Sequence, residues 1–278
     1  MSRVSKHEAL IATLAYGDIF DYPLTRQELI RWFLYYPVRS APKGFGSHVK
    51  HEKASWQPGK WMIAERASRW LSLVPTIQLV GVTGGLAMNN AGRDDDIDLF
   101  FIVADGTLWI SRMLATILMD IIGLRRHPKD QQVANKVCLN MFMTESAMGL
   151  APHDRDCFTA HEVLQMVPLF VRGETYARFL GSNQWVKKFL PNAWREKYQV
   201  SGIRYQEKSD IGIWCLKLLE KPSRLFQLWY MQKHRTHEVI TDTTLRFHPK
   251  DARIWIKRKL ASRLAAFNIP LDKVFYSR

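Results

Sequence analysis

Asp96-Ile97-Asp98-Leu99 sets two carboxylates two residues apart at the head of an apolar, β-branched run, residues 97–103. In a strand that spacing points Asp96 and Asp98 to one face and Ile97 and Leu99 to the other. Two carboxylates a few ångströms apart repel, and against a buried sheet the pair costs on the order of several kcal/mol or keeps one proton bound. A hard divalent cation removes that cost, because Mg²⁺ (or Mn²⁺) takes carboxylate oxygens together with substrate phosphates. Upstream, Thr83-Gly84-Gly85 ends a second apolar run, residues 77–82. Glycines at a strand-to-helix turn let backbone amides approach an anion closely, and a helix starting near Leu86 adds its positive dipole end. A glycine pair is by itself an ordinary turn and gains meaning from the acids that follow it. Asp94 and Asp95 read as solvated turn residues, Asp96 and Asp98 as metal ligands.

Several elements must position these residues. Residues 7–17 carry apolar side chains at helical spacing, closed by Gly17-Asp18. Thr25-Arg26-Gln27-Glu28 reads as a capping box opening a second helix that runs to about residue 34. Two short helices joined by a tight turn suggest a helix-turn-helix or winged-helix unit over residues 1–73. The second helix shows Trp32, Phe33, Leu34, Tyr35 and Tyr36 where a groove-reading helix shows polar groups, so packing is its expected role. Residues 37–58, with His48 and His51, read as a loop or wing. A helix over 60–73 follows, stopped by Val74-Pro75. Downstream, residues 108–124 form an apolar-striped helix expected to pack on the sheet, ending in the basic run Arg125 to Lys129. A strand over 137–142 follows it.

The strand, Gly84-Gly85 and Asp96-Ile97-Asp98-Leu99 together resemble the nucleotidyltransferase superfamily that includes DNA polymerase β, CCA-adding enzymes and aminoglycoside nucleotidyltransferases. That motif covers residues 77–145. A looser resemblance, carried by Leu79 to Met88, Lys136 to Phe142 and Ala160 to Leu169, is to uncharacterised prokaryotic nucleotidyltransferase-domain proteins. The resemblance implies an α/β (α+β) nucleotidyltransferase core of mixed sheet and helices over residues 74–150. It implies a winged-helix-like unit before the core and, over residues 151–278, a helical domain after it. It further implies a nucleoside triphosphate held at Thr83, Gly84 and Gly85, and catalytic Asp96 and Asp98 bound to Mg²⁺ (or Mn²⁺). Two positions depart from the family pattern. Gly85 stands where Ser is common, and Asn140 occupies the third-carboxylate position, where a neutral oxygen donor cannot act as a base. Glu145 and Asp156 are the nearby acids that could substitute, although each reads first as a surface residue. The alternative to an enzyme is a catalytically silent nucleotide- or nucleic-acid-binding protein that keeps the fold.

The chain has 278 residues, 47% of them hydrophobic, enough to bury a substantial core in two or three modules. Forty Lys and Arg against 26 Asp and Glu give +14, a charge that favours polyanions such as nucleic acid, nucleotides or acidic membrane; RNA is the candidate acceptor. Cys138, Cys157 and Cys215 lie in apolar surroundings without ligand spacing, which suits a reducing cytoplasm. No secretory core opens the sequence, and the most apolar run, 114–124, is too short to span a bilayer, so no membrane is expected. From Asp156 onward the pattern reads as helical, with stops at Pro168 and Pro191 and a polar linker over 196–209. Tyr176, Phe179, Trp185 and Phe189 read as core. Helices are expected over 211–219 and 223–235, the second ending in Lys233-His234-Arg235. Thr236-His237-Glu238 and Phe247 to Asp251 set histidines near acids without a zinc spacing. A final helix over 251–267 carries Arg253, Lys257, Arg258, Lys259 and Arg263. It reads either as an acceptor surface for nucleic acid or as solvated charge.

Overall fold

A computed structural model describes residues 3–42, 45, 56–127, 130–199, 205–206, 212–232, 239–247 and 252–276. His48, His51, Pro128-Lys129, Lys233 to Glu238 and His248 to Asp251 lie outside the described residues. The architecture is α/β, built on a mixed sheet.

Central strand β2 (Ile97–Val103) is buried nearly throughout and is flanked by β1 (Ile77–Val82), antiparallel, and β3 (Val137–Thr144), parallel. A parallel neighbour needs a crossover. Here it is α5 (Leu108–Ile121), whose Trp109, Ala115 and Met119 pack on Leu99, Phe101 and Phe142. The helix packs on the sheet as expected, but the stripe read from the sequence is only partly inward: Trp109 and Ile110 are buried, whereas Ile117 and Ile121 are exposed. Helix α5 stops three residues before the sequence expectation, with Gly123 at φ +68° ending its last turn.

The sheet order is β5-β4-β1-β2-β3-β7-β6. Four of these strands come from beyond residue 150: β4 (Val167–Arg172), β5 (Tyr205–Gln206), β6 (Val239–Ile240) and β7 (Thr244–Arg246). The all-helical reading of the C-terminal third misses them. Pro168 does not merely stop α6 (Cys157–Gln165); it enters β4 opposite Gly81, beside a register shift between Val80 and Gly81. Such an irregularity is where a sheet accepts proline, which has no N–H for the ladder. Likewise Pro191 opens α8 (Pro191–Gln199), which takes up the start of the expected linker.

The sheet divides the core into two layers, as alternation along β2 dictates. Leu99, Phe101 and Val103 face α5 and α3 (Gln57–Leu71). Phe100 and Ile102 face the other side, where they meet α1 (Lys6–Asp18), α6, α7 (Thr175–Ser182), α11 (Ala252–Ala265) and α12 (Leu271–Phe275). Tyr176, Phe179 and Phe189 are buried in this second layer and Trp185 packs against it, the core role expected of them.

At the N-terminal side, α2 (Arg26–Arg31) is shorter than expected, but Thr25 and Glu28 form the reciprocal cap read from the sequence. Phe33 and Leu34 are buried and Trp32 packs against the core, so the aromatic stretch is packing surface. Among the described residues no strand lies between α2 and β1. The remaining helices are α4 (Gly84–Ala87), α9 (Ile213–Leu218) and α10 (Glu220–Met231). Among the described residues no helix is long and apolar enough to cross a membrane.

Candidate functional site

Strand β1 ends at Val82, and the chain turns through Thr83 into Gly84, the first residue of α4. The turn is tied to β2 by Thr83 N–H donating to Asp98 O at 3.0 Å. Gly84 has φ +65°, and a Cβ at this position would sit 2.6 Å from Asp98 Oδ2. Only glycine meets both conditions without displacing the carboxylate. The glycine pair and the Asp-x-Asp pair are thus one packed unit, with the Asp98 carboxylate against the backbone of the turn.

Asp98 and Asp96 are both partly exposed, at the edge of the apolar strand. Parallel register sets Cys138 directly beside Asp98, and one ligand atom from each of Asp96, Asp98 and Cys138 lies within 4.8 Å of the others. Sequence spacing gave Cys138 no ligand neighbours; the crossover supplies them across forty positions. Arg126 Nη1 also reaches this point, donating to Asp96 Oδ2 at 2.6 Å. Burial, then the charges of Asp96 and Glu162, push Asp98 up to about 7, while Arg126 and the Cys138 thiol pull it down. Burial, then the charges of Asp98 and Asp96, push the Cys138 thiol up, so it stays protonated and donates to Asp98. The donors therefore suit a hard cation: two carboxylates offer oxygen, and the neutral sulfur serves as a hydrogen-bond donor.

Asp94 and Asp95 are exposed, and Asp95 Oδ2 accepts from Gly92 N–H at 2.7 Å, the turn role expected of it. Behind the turn, buried Lys60 donates through Nζ to Asp95 O at 2.5 Å and to Asn135 Oδ1 at 3.2 Å. It fixes the acidic loop from within.

Asn140 is the extra residue where the β2–β3 register shifts between Leu99 and Phe100. Its carbonyl accepts from Phe247 N–H at 3.0 Å, while its side-chain Oδ1, buried, makes no hydrogen bond. Asn140 lines a cavity of about 830 Å³ together with Thr83, Gly84, Gly85 and Asp98. The Thr83 hydroxyl and, from α6, Gln165 Nε2 also line the cavity and are buried without a hydrogen-bond partner.

A further carboxylate faces this cavity. Glu162 comes from α6 on the opposite wall, and burial pushes it up to about 7 against the pull of Arg246. Arg246 reaches the cavity from β7, opposite Met141. Nothing in local spacing marks Glu162 as a partner of Asp98, because 64 residues separate them and only the packing of α6 on the sheet joins them. Its neighbour His161 is structural: it stacks on Tyr16 at 3.9 Å, its Nδ1 lies 2.7 Å from Cys157 O, and burial lowers it to about 4.

The two acids considered as substitutes are elsewhere. Asp156 is not a surface residue but a buried N-cap of α6, accepting from Thr159 N–H at 2.9 Å, with Arg253 3.3 Å away. Glu145, only partly exposed, is held by Arg178 at 2.7 Å. On α11, Arg253 and Arg258 line the cavity, whereas Arg263 pairs with Asp18 and Lys257 donates to the Tyr276 hydroxyl. Arg125 and His127 likewise pair locally, with Asp120.

No protein-family model matches the chain, and no curated protein matches it.

Proposed function

We propose that this protein is a metal-dependent nucleotidyltransferase, moving a nucleoside monophosphate from a nucleoside triphosphate to an acceptor hydroxyl with release of pyrophosphate. One observation supports the reading: the glycine turn lies so close to Asp98 that a Cβ on Gly84 would overlap its carboxylate, on the wall of a cavity that also presents unpaired polar atoms. Its volume of about 830 Å³ suits a small-molecule site.

In this reading Asp96 and Asp98 hold Mg²⁺ (or Mn²⁺), which supplies charge stabilisation to the attacking and leaving oxygens. Thr83, Gly84 and Gly85 offer backbone amides and a hydroxyl to the triphosphate. Arg246 and Arg258 bring positive charge to the same cavity. The acceptor oxygen bonds to the α-phosphorus as the bond from that phosphorus to the pyrophosphate oxygen breaks. The acceptor proton passes to Glu162, whose elevated affinity for a proton near neutrality suits a general base. Glu162 thereby does what Asn140 cannot. The net charge of +14 fits a polyanionic acceptor such as RNA.

Asn140 favours a second reading, a silent binder that retains nucleotide but not turnover. The test is incubation with each labelled triphosphate, Mg²⁺ or Mn²⁺ and total RNA. Label transfer is expected from the wild type, none from Asp96→Ala/Asp98→Ala, and a fall in kcat of about 10²-fold or more in Glu162→Gln. Metal-dependent triphosphate binding without turnover would establish the silent binder. Absence of both metal and triphosphate binding would remove both readings.

A further inference from the structure

Helix α10 is amphipathic in the reverse sense. Its buried positions are Ser223, Gln227 and Met231, and the first two are polar. Gln227 Nε2 donates to Trp109 O at 2.7 Å, and Arg112 Nη1 donates to Gln227 Oε1 at 2.5 Å. The Glu220 carboxylate turns inward and accepts from Trp109 N–H at 2.9 Å and Ile110 N–H at 3.0 Å, capping α5. The outward side carries Leu225 at 70% exposure, Phe226 at 57% and Trp229 at 66%. It continues into α9, where Trp214 and Leu218 are 68% and 70% exposed. The inward polar groups hold α5, but a monomer in water gains nothing from large apolar side chains outside; such a face marks an interaction site.

Its charge selects the occupant. Lys217 and Lys221 stand exposed among these side chains, Arg224 is paired with Asp242 at 2.9 Å, and Glu220, the only acid in residues 212–232, is turned away into the fold. A second copy docked about a two-fold axis would bring two copies of the same patch, each carrying Lys217 and Lys221, unpaired among the described residues, into one interface. Single-stranded nucleic acid would stack on Trp229 and Phe226, but Leu218 and Leu225 offer it neither a ring face nor a hydrogen bond. A bilayer surface of anionic lipid uses every component: leucine and aromatic side chains enter the headgroup boundary while lysines meet phosphate. We infer that the exposed apolar and basic face of α9–α10 seats this protein on an anionic lipid surface, with the helices lying in the interface rather than crossing it.

Sedimentation of the full chain with vesicles of phosphatidylcholine plus phosphatidylglycerol, against phosphatidylcholine alone, tests this. The wild type should pellet with the anionic vesicles and show a blue shift in tryptophan emission. Leu225→Ser/Phe226→Ser/Trp229→Ser should weaken partitioning by about tenfold or more, and Lys217→Glu/Lys221→Glu should do the same. Trp229→Ser alone, with thermal unfolding as the control for folding, covers the case in which the triple variant fails to fold. Wild type that remains in the supernatant, or variants that pellet equally, would overturn the inference. It would also be overturned if the apolar variant abolished self-association or RNA binding while wild type ignored vesicles. Those outcomes would assign the face to a second copy or to nucleic acid. None of the outcomes depends on nucleotide turnover.

Discussion

The contact between Gly84 and Asp98 makes the smallest change the most informative. Gly84→Ala places an L side chain at φ +65°, which costs about 1–2 kcal/mol, and drives a methyl against Asp98 Oδ2. Urea unfolding should register that loss, and metal affinity should fall with it because the carboxylate must move. Retained metal affinity would mean that the close approach has no part in binding. Glu162 makes a pH prediction. Its folded-state affinity for a proton lies above its unfolded value of 4.5, reaching about 7, so the folded form holds a proton that the unfolded chain releases. The associated stability is present below pH 4.5 and is lost as pH rises through 7. Glu162→Gln should flatten the stability profile over that window and, at pH 8 without metal, be the more stable protein by about 1–3 kcal/mol. A profile parallel to wild type would refute the assignment. The pairing of Asp96 with Asp98 and the nearby glycines was legible in the sequence, because both are local patterns of period two or one turn. Cys138, Arg126 and Glu162 were not, since their proximity arises from parallel register and helix docking, which no short window encodes.

At the level of elements, α5 depends on a cap from outside itself. Thr107, its N-cap residue, contributes no side-chain bond to the helix amides, and Glu220 of α10 does so instead. Glu220→Ala leaves two largely buried amides without acceptors, an expected loss of about 1–3 kcal/mol by chemical denaturation. Glu220→Gln should recover part of it. An unchanged midpoint for the alanine variant would show that the contact adds nothing. Strands β1 to β3, α5 and the Thr25–Glu28 cap could be read in advance because pattern, propensity and caps agree there. Strand β4 could not. Pro168 and the short interval after α6 carry the sequence signals of a helix stop, and only the irregular pairing with β1 makes room for a proline inside the sheet.

For the whole molecule, a net charge of +14 accompanies a candidate site that carries the acids Asp96 and Asp98. Divalent metal should therefore stabilise the protein measurably: at a hundredfold excess over Kd the gain is about 2.7 kcal/mol, read as a rise in Tm. Asp96→Asn/Asp98→Asn should abolish that rise, and a rise that persists would place the metal elsewhere. The two-layered core followed from alternation along a doubly buried strand, whereas the joining of distant segments did not. Tyr35 donates its hydroxyl to Val274 O, and Lys273 Nζ donates to Glu8 at 2.6 Å, pulling Glu8 down to about 2. That clasp ties α12 to α1, and α11, which carries Arg253 and Arg258 of the cavity lining, packs against both. During synthesis the sheet strands bearing Asp98 and Asn140 leave the ribosome more than a hundred residues before α11 does. A nascent chain would thus display Asp98 and Asn140 before α11, which lines the same cavity, is there to face them.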